Sequence, residues 1–305
     1  MNLKTILACS IVLMLLLSSC SQLYQKSTLF KTQENEINKL KHDKEYLQKK
    51  ITSANKDTLE PKQLSLKAVE KDSFVKLPVE SSSPFLDVLL GKESQASMRL
   101  SYKNATFDIL VVKNPADVQL FWKEENKIIG SLHQLKLLAE KENKDLIFAT
   151  NAGMYTPSMK PQGLYIENGV ELVPLDTIKE ADGNFYLQPN GVFLIEKDST
   201  AHLLTTEAYK NYDGRVLYAT QSGPMVVIEG KINPKFNESS SNLNIRSGVG
   251  IDAQGRVIFL ISNQEVNFFT FASVFKDVFL CPNALYLDGT ISLTYLPMLS
   301  RRDLG

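Results

Sequence analysis

Four short stretches of this 305-residue chain set polar groups where apolar runs stop. "FATNAGMY" ends in Asn151 and Gly153, and "YATQSGPM" in Gln221, Ser222 and Gly223. "NLNIRSGVGID" carries Arg246 ahead of Gly248 and Gly250, and "ALYLDGTIS" puts Asp288 and Gly289 at the end of a β-type run. Each residue has an ordinary structural use: asparagine near glycine and Asp-Gly are turn chemistry, and arginine makes surface ion pairs. Each also has a chemical use. An amide reads hydroxyls, and a guanidinium holds phosphate or carboxylate at two points. A carboxylate activates water or attacks an electrophilic carbon, while glycine lets backbone approach a ligand closely.

The same inventory limits the chemistry. A nucleophilic Ser222 needs a base, and the three histidines are His42 in a charged N-terminal stretch, His133 in a helical segment and His202 at a strand edge. None adjoins a catalytic signature, so a serine-hydrolase triad does not assemble from this pattern. Zinc wants clustered His and Cys, so no metal site and no cofactor are expected. Thirty-four basic residues balance thirty-four acidic ones. No overall field therefore recruits nucleic acid, and an anionic ligand needs a local site.

The elements that must position these groups are mostly strands. Alternating or continuous apolar runs stand at "ATFDILVV", "VQLFW", "DLIFAT", "GLYIENG", "GVFLIEK", "RVLYAT", "PMVVIEGK", "RVIFLIS" and "ALYLD", separated by Gly, Asn, Asp and Pro. Helical spacing predicts two helices, "SLHQLKLLAEKEN" behind a Ser131 cap and "NFFTFASVFKDVF" near the C-terminus. With no composition break over 84–305, these residues read as one strand-rich α+β domain with mixed or antiparallel sheets and a few helices.

The N-terminus reads as an address. Lys4, the apolar "ILACSIVLMLLL" and "LSSC" form a bacterial lipoprotein signal over residues 1–19, with cleavage before Cys20 and lipid on that cysteine. Residues 20–83 then supply the acylated N-terminus, a helical spacer to about Leu59 and a Pro- and Ser-containing linker. The expectation is a membrane-anchored lipoprotein on the outer membrane, facing the periplasm. Cys9 leaves with the signal, and Cys281, between "VFL" and Pro282, reads as a small buried hydrophobe.

Taken in order, "NAGMY", "PQGLYIENG", "GNFYLQPNGVFLI", "YATQSGPMVVIEGKI", "IRSGVGI", "VNFFTFASVFKD" and "CPNALYLDGTIS" resemble the phosphodiester glycosidase family over about residues 100–297. The resemblance implies hydrolysis of a sugar-1-phosphodiester between the anomeric carbon and the phosphate oxygen. A phosphomonoester leaves easily, so a strong general acid matters less than holding the anion. The resemblance then gives Arg246 the phosphate and Asp288 the anomeric centre, as base for water or as nucleophile. Asn151, Gln221, Ser222 and Ser292 would bind sugar or phosphate, with Gly153, Gly223 and Gly289 admitting the backbone. Glu265, with Asp252 as the other candidate, would be a second carboxylate.

One departure stands beside the match. Many relatives carry "DGGGS" where this chain has Asp288-Gly-Thr-Ile-Ser292, and the β-branched Thr290 and Ile291 cannot copy a loop built on positive φ. That departure sustains an alternative of another class, a non-catalytic glycan-binding or envelope-scaffolding lipoprotein on the same fold. A third reading, a metal-dependent phosphodiesterase, has the scarcity of histidine against it.

Overall fold

The structure, a computed structural model, describes residues 93–289 and 291–305, and the backbone alone of Leu64–Lys67 and Phe74–Leu77. The signal, Cys20, the spacer helix and Thr290 lie outside the described residues. Two short strands, β1 (Leu64–Lys67) and β2 (Phe74–Leu77), fall inside the stretch that composition reads as linker, and precede β3 (Gln95–Tyr102) and β4 (Ala105–Val112). A small hairpin, β5 (Lys123–Glu124) with β6 (Lys127–Ile128), leads to helix α1 (Leu132–Lys141) and β7 (Ala149–Thr150). Next come β8 (Tyr165–Glu167), β9 (Val170–Val173), β10 (Gly191–Glu196), β11 (Ala201–Thr205), the short helix α2 (Thr206–Tyr209) and β12 (Val216–Ser222). After them run β13 (Met225–Ile228), β14 (Lys231–Ile232), β15 (Ser247–Ile251), β16 (Val257–Ser262) and helix α3 (Phe268–Ser273). The C-terminal part is β17 (Asn283–Asp288), β18 (Thr294–Leu296) and β19 (Arg301–Arg302).

These strands form a nine-stranded antiparallel sheet, ordered β14-β13-β17-β15-β16-β4-β3-β1-β2, and a five-stranded one, β11-β10-β12-β8-β9. Period-two patterning gives the large sheet two apolar faces. On β4, Phe107, Ile109 and Val111 enter one core with α3, while Leu110 and Val112 enter the other, against Phe193 and Ile195 of the smaller sheet. The result is three layers, helix on sheet on sheet, in the strand-rich α+β class that the sequence predicts, and it belongs to one unit, residues 61–305.

Both predicted helices form. Ser131 caps α1 by accepting from the Gln134 N–H at 3.2 Å, and Asn267 caps α3 by accepting from Thr270 at 2.8 Å before the helix widens into a π turn, Val274–Val278. Two predicted strands do not extend as read. "VQLFW" stays out of the sheets because Val118, Leu120 and Trp122 spend their apolar surface against the inter-sheet core, and "DLIFAT" pairs only at Ala149–Thr150. β15, with its two glycines, carries no alternation to read. A Cβ on Gly248 would stand 3.0 Å from the Phe271 ring, and one on Gly250 would stand 2.6 Å from Phe275. The glycines are the notch into which α3 packs. Cys281 is free and buried in that same core, and burial pushes its thiol well above the ordinary cysteine range.

Candidate active site

The ends of β15 and β17 bring a carboxylate and a guanidinium into one neighbourhood. Ser247 pairs with Asp288 while Gly248 pairs with Tyr286, so Leu287 is an extra residue on β17. Such a bulge re-aims the side chains beside it and is common next to reacting groups. Asp288 is 7% exposed, and its Oδ1 accepts from the Gly289 N–H at 2.7 Å. Its Oδ2 is buried with no hydrogen-bond partner. Burial raises the carboxyl above its ordinary range, only partly opposed by the Gly289 N–H, and no second carboxylate contributes.

Tyr286 occupies the ground next to it. Its ring packs edge-on against Phe268 and Phe271 at centroid distances of 4.9 and 6.4 Å. Its hydroxyl lies so close to Gly289 that a Cβ there would collide with it. Glycine is therefore required at 289 by the tyrosine rather than by a left-handed turn. Burial pushes the Tyr286 hydroxyl up to about 12; the Arg246 charge and Asn184 oppose the shift, and the Asp288 charge adds to it. It is a neutral donor at ordinary pH.

Arg246 is fully buried, with its guanidinium 3.6 Å over the Phe268 ring. Nε donates to the Val266 carbonyl at 2.8 Å, and Nη2 donates to the Asn242 carbonyl and side chain at 3.0 and 2.9 Å. Nη1 is buried and has no partner of hydrogen-bonding geometry, although the Tyr286 hydroxyl is close enough for each group to perturb the other's ionisation. Arg246 and Asp288 form no ion pair. Only one nitrogen of Arg246 is left to meet a ligand, which corrects the two-point grip expected of it.

Asn151 reaches the same corner from β7. Its Oδ1 accepts from the Leu293 N–H at 2.8 Å, tying β7 to the segment that follows Asp288. Four residues on, Tyr155 is raised by burial and by the Asp288 charge, with Asn151 opposing. Gly153 passes close under β12: its N–H donates to Thr220 Oγ1 at 3.1 Å, and a Cβ would strike the Gln221 carbonyl.

Other predicted residues are spent on structure. Gln221 is 1% exposed; its Oε1 accepts from Leu164 and Asp176, each at 3.0 Å, and its Nε2 donates to the Asp176 carbonyl and Thr206 Oγ1 at 2.8 and 3.0 Å. All the bonds its amide can readily make are used within the protein. Ser222 donates to the Leu287 carbonyl at 2.9 Å, and Ser292 shares a 2.9 Å hydrogen bond with Ser247. Gly223 packs against Asn190, where a Cβ would come within 2.7 Å. Glu265 is exposed on the turn after β16. Asp252 forms a buried 2.6 Å pair with Arg256 at the far end of β15, about 17 Å along the strand from Ser247. That exceeds the separation of carboxylates that share a glycosidic bond, so Asp252 is no partner for Asp288. His133 is exposed on α1, and His202 pairs with Glu196 at 3.3 Å. Among the described residues no three His, Cys, Asp or Glu side chains converge as a metal-ligand set.

Sequence reasoning missed Tyr286, Tyr155 and Asn184. All three stand inside the motifs quoted for the resemblance, and Tyr286 precedes Asp288 by two residues. Comparison with known proteins covers this region. The model of the phosphodiester glycosidase family matches residues 144–301. YigE, an uncharacterized protein of Escherichia coli (strain K12), is 38% identical over 181 residues, 59% of this chain and 69% of that protein. Among solved structures, the catalytic domain of zebrafish N-acetylglucosamine-1-phosphodiester alpha-N-acetylglucosaminidase aligns over 66% of this chain and 72% of its own, with TM-score 0.46 and 17% identity. A hypothetical protein from Synechocystis aligns over 66% and 57%, with TM-score 0.39 and 12% identity.

Proposed function

The chain belongs to the phosphodiester glycosidase family, and from that premise we propose that it is a hydrolase that cleaves sugar-1-phosphodiesters at the bond between the anomeric carbon and the phosphate oxygen. One observation carries the reading. Two buried polar atoms, Asp288 Oδ2 and Arg246 Nη1, have no hydrogen-bond partner at the paired ends of β15 and β17, where the charges of both groups act on the Tyr286 hydroxyl. A buried group left unpaired costs about 1–3 kcal/mol, more when charged, and a fold keeps such a group where a ligand completes it.

Asp288 Oδ2 takes a proton from water as the water oxygen bonds to the anomeric carbon. The carbon–oxygen bond to phosphate breaks, its electron pair leaves with the phosphomonoester, and the proton passes to solvent. Arg246 Nη1 and the neutral Tyr286 hydroxyl donate to the departing phosphate. With Asp288 acting as base for water rather than as nucleophile, direct displacement inverts the anomeric configuration. Asn151, whose Oδ1 is held by the Leu293 N–H, meets sugar or phosphate oxygens through its amide nitrogen from the side of β7. The same proposal tethers the domain to the periplasmic face of the outer membrane through lipid on Cys20, a reading supported by the sequence of the first twenty residues.

The test is a panel of sugar-1-phosphodiesters and nucleotide sugars incubated with the purified full chain, Asp288→Asn and Arg246→Gln. Free sugar of inverted configuration and a phosphomonoester are expected from the wild type, with Asp288→Asn inactive. Sugar binding without turnover across the panel would return the protein to the glycan-binding class.

A further inference from the structure

Beside the polar corner runs a second feature that the reaction does not use. An open groove of about 620 Å³ extends from Asn151, Gly153 and Tyr155 outward between α1, the β5–β6 hairpin and the edge of the inter-sheet core. Its floor includes Phe148 and Phe259, stacked at a tilt with centroids 5.1 Å apart. Its helical wall includes Leu135 and Leu138 of α1, a helix with no fully buried residue. Five large side chains on the groove stand open to solvent: Phe121 at 47%, Ile128 at 41%, Ile147 at 42%, Tyr155 at 37% and Met159 at 46%.

An amphipathic helix ordinarily hides its apolar stripe, and scattered exposed apolar residues need no explanation. Here they line one concavity whose inner end holds Asn151, Tyr155 and Leu287, the residue before Asp288, with Asn151 hydrogen-bonded to the Leu293 N–H at 2.8 Å. Much of the wall, from Val118 to Glu142, precedes the residues that the family model matches. The groove thus joins residues inside the matched region, such as Phe148 and Phe259, to a wall outside it. The charged residues of the lining are Asp117, Glu142, Lys144 and Asp145, and none of them stands among the residues 151–155 at the inner end.

We infer that this groove is the aglycone subsite, and that the alcohol on the far side of the substrate's phosphate is a long apolar chain, a lipid alcohol. The inference rests on the hydrolase reading above and deepens it. With the sugar at Asp288 and the phosphate at the neighbouring donors, the chain follows Tyr155 into the groove and covers the exposed side chains. Hydrolysis then yields free sugar and a lipid monophosphate. Apolar burial strengthens binding with each methylene, and because the groove touches no reacting atom the gain falls in KM rather than kcat.

The test uses the full chain and diesters of one sugar, that preferred in the panel above, with methyl, octyl and dodecyl aglycones below their micelle concentrations. The dodecyl diester is expected to exceed the methyl diester at least ~100-fold in kcat/KM, through KM. Ile147→Asp, at an exposed position where folding is not at stake, should collapse the ratio of dodecyl to methyl turnover. A flat chain-length series in the wild type overturns the subsite while leaving the hydrolase reading intact. An unchanged ratio in Ile147→Asp together with Leu138→Asp overturns the placement in this groove. Turnover of no diester in the series overturns the hydrolase reading, and the subsite falls with it.

Discussion

Asp288 concentrates the argument at the scale of single residues. Its carboxyl is raised by burial, so relative to an unfolded chain the folded state holds this proton more tightly. The sign follows: the proton stabilises the fold at low pH, and that stability is lost as pH rises from the ordinary carboxylate range through the raised value. Asp288→Asn removes the buried charge. It should therefore be at least as stable as the wild type at pH 7, with a flatter dependence of Tm on pH across that window. A base must be ionised, so kcat/KM of the wild type should rise with pH through an apparent pKa above the usual aspartate range. Asp288→Asn should lose ~10²–10⁴ in kcat. An acid limb at an ordinary carboxylate pKa would sink the assignment of Asp288 Oδ2 as the base. Tyr286→Phe keeps the ring packing against Phe268 and Phe271 but removes the hydroxyl on which the Arg246 and Asp288 charges both act. It should fold with a near-native Tm and lose about 10-fold in kcat, a neutral hydrogen bond being worth ~1 kcal/mol or somewhat more.

At the scale of elements, the bulge at Leu287, the notch in β15 and the Gln221 tether hold the corner in shape. Gly250→Ala would press a methyl against Phe275 and Cys281 at 2.6 and 2.8 Å, which should cost ~1–3 kcal/mol in chemical denaturation by overpacking α3. Gln221→Ala strands the N–H groups of Leu164 and Asp176 and should destabilise by ~2–4 kcal/mol. Its KM, measured on the folded fraction, should stay within about twofold, because the amide faces the protein. A large KM effect without loss of stability would restore Gln221 to the substrate. Strands with regular alternation, such as β4 and β10, were legible in the sequence, as were the two capped helices. β15 was not, since glycines chosen for the approach of Phe271 and Phe275 erase the alternation that marks a strand. Of the site, Asp288 and Arg246 were legible as strand-end charges. The bulge was not, because an extra residue leaves no trace in composition, and neither was the satisfaction of the Gln221 amide, which depends on backbone 45 to 57 residues away.

At the scale of the whole molecule, charge and placement leave substrate capture to local features. The balance of thirty-four basic and thirty-four acidic residues creates no long-range pull on an anionic diester. The proposed tether at Cys20 and the proposed aglycone groove would solve that problem together, since a lipid-borne substrate would already be concentrated in the surface to which such a chain is fixed. Among the described residues no helix is long and apolar enough to cross a membrane; the proposed tether is the lipid on Cys20, and it is tested on that residue. Cys20→Ser should abolish labelling by radioactive palmitate and move the full chain from the membrane pellet to the soluble fraction. Its turnover of the water-soluble methyl diester should equal that of the wild type, because Cys20 touches no part of the reaction. Turnover of a dodecyl diester presented in vesicles should fall by tenfold or more, because the freed enzyme must find the surface by diffusion and leaves it after each encounter. Equal vesicle activity in the two proteins would mean that the tether serves location alone, and continued pelleting of Cys20→Ser would mean that this cysteine is not the anchor.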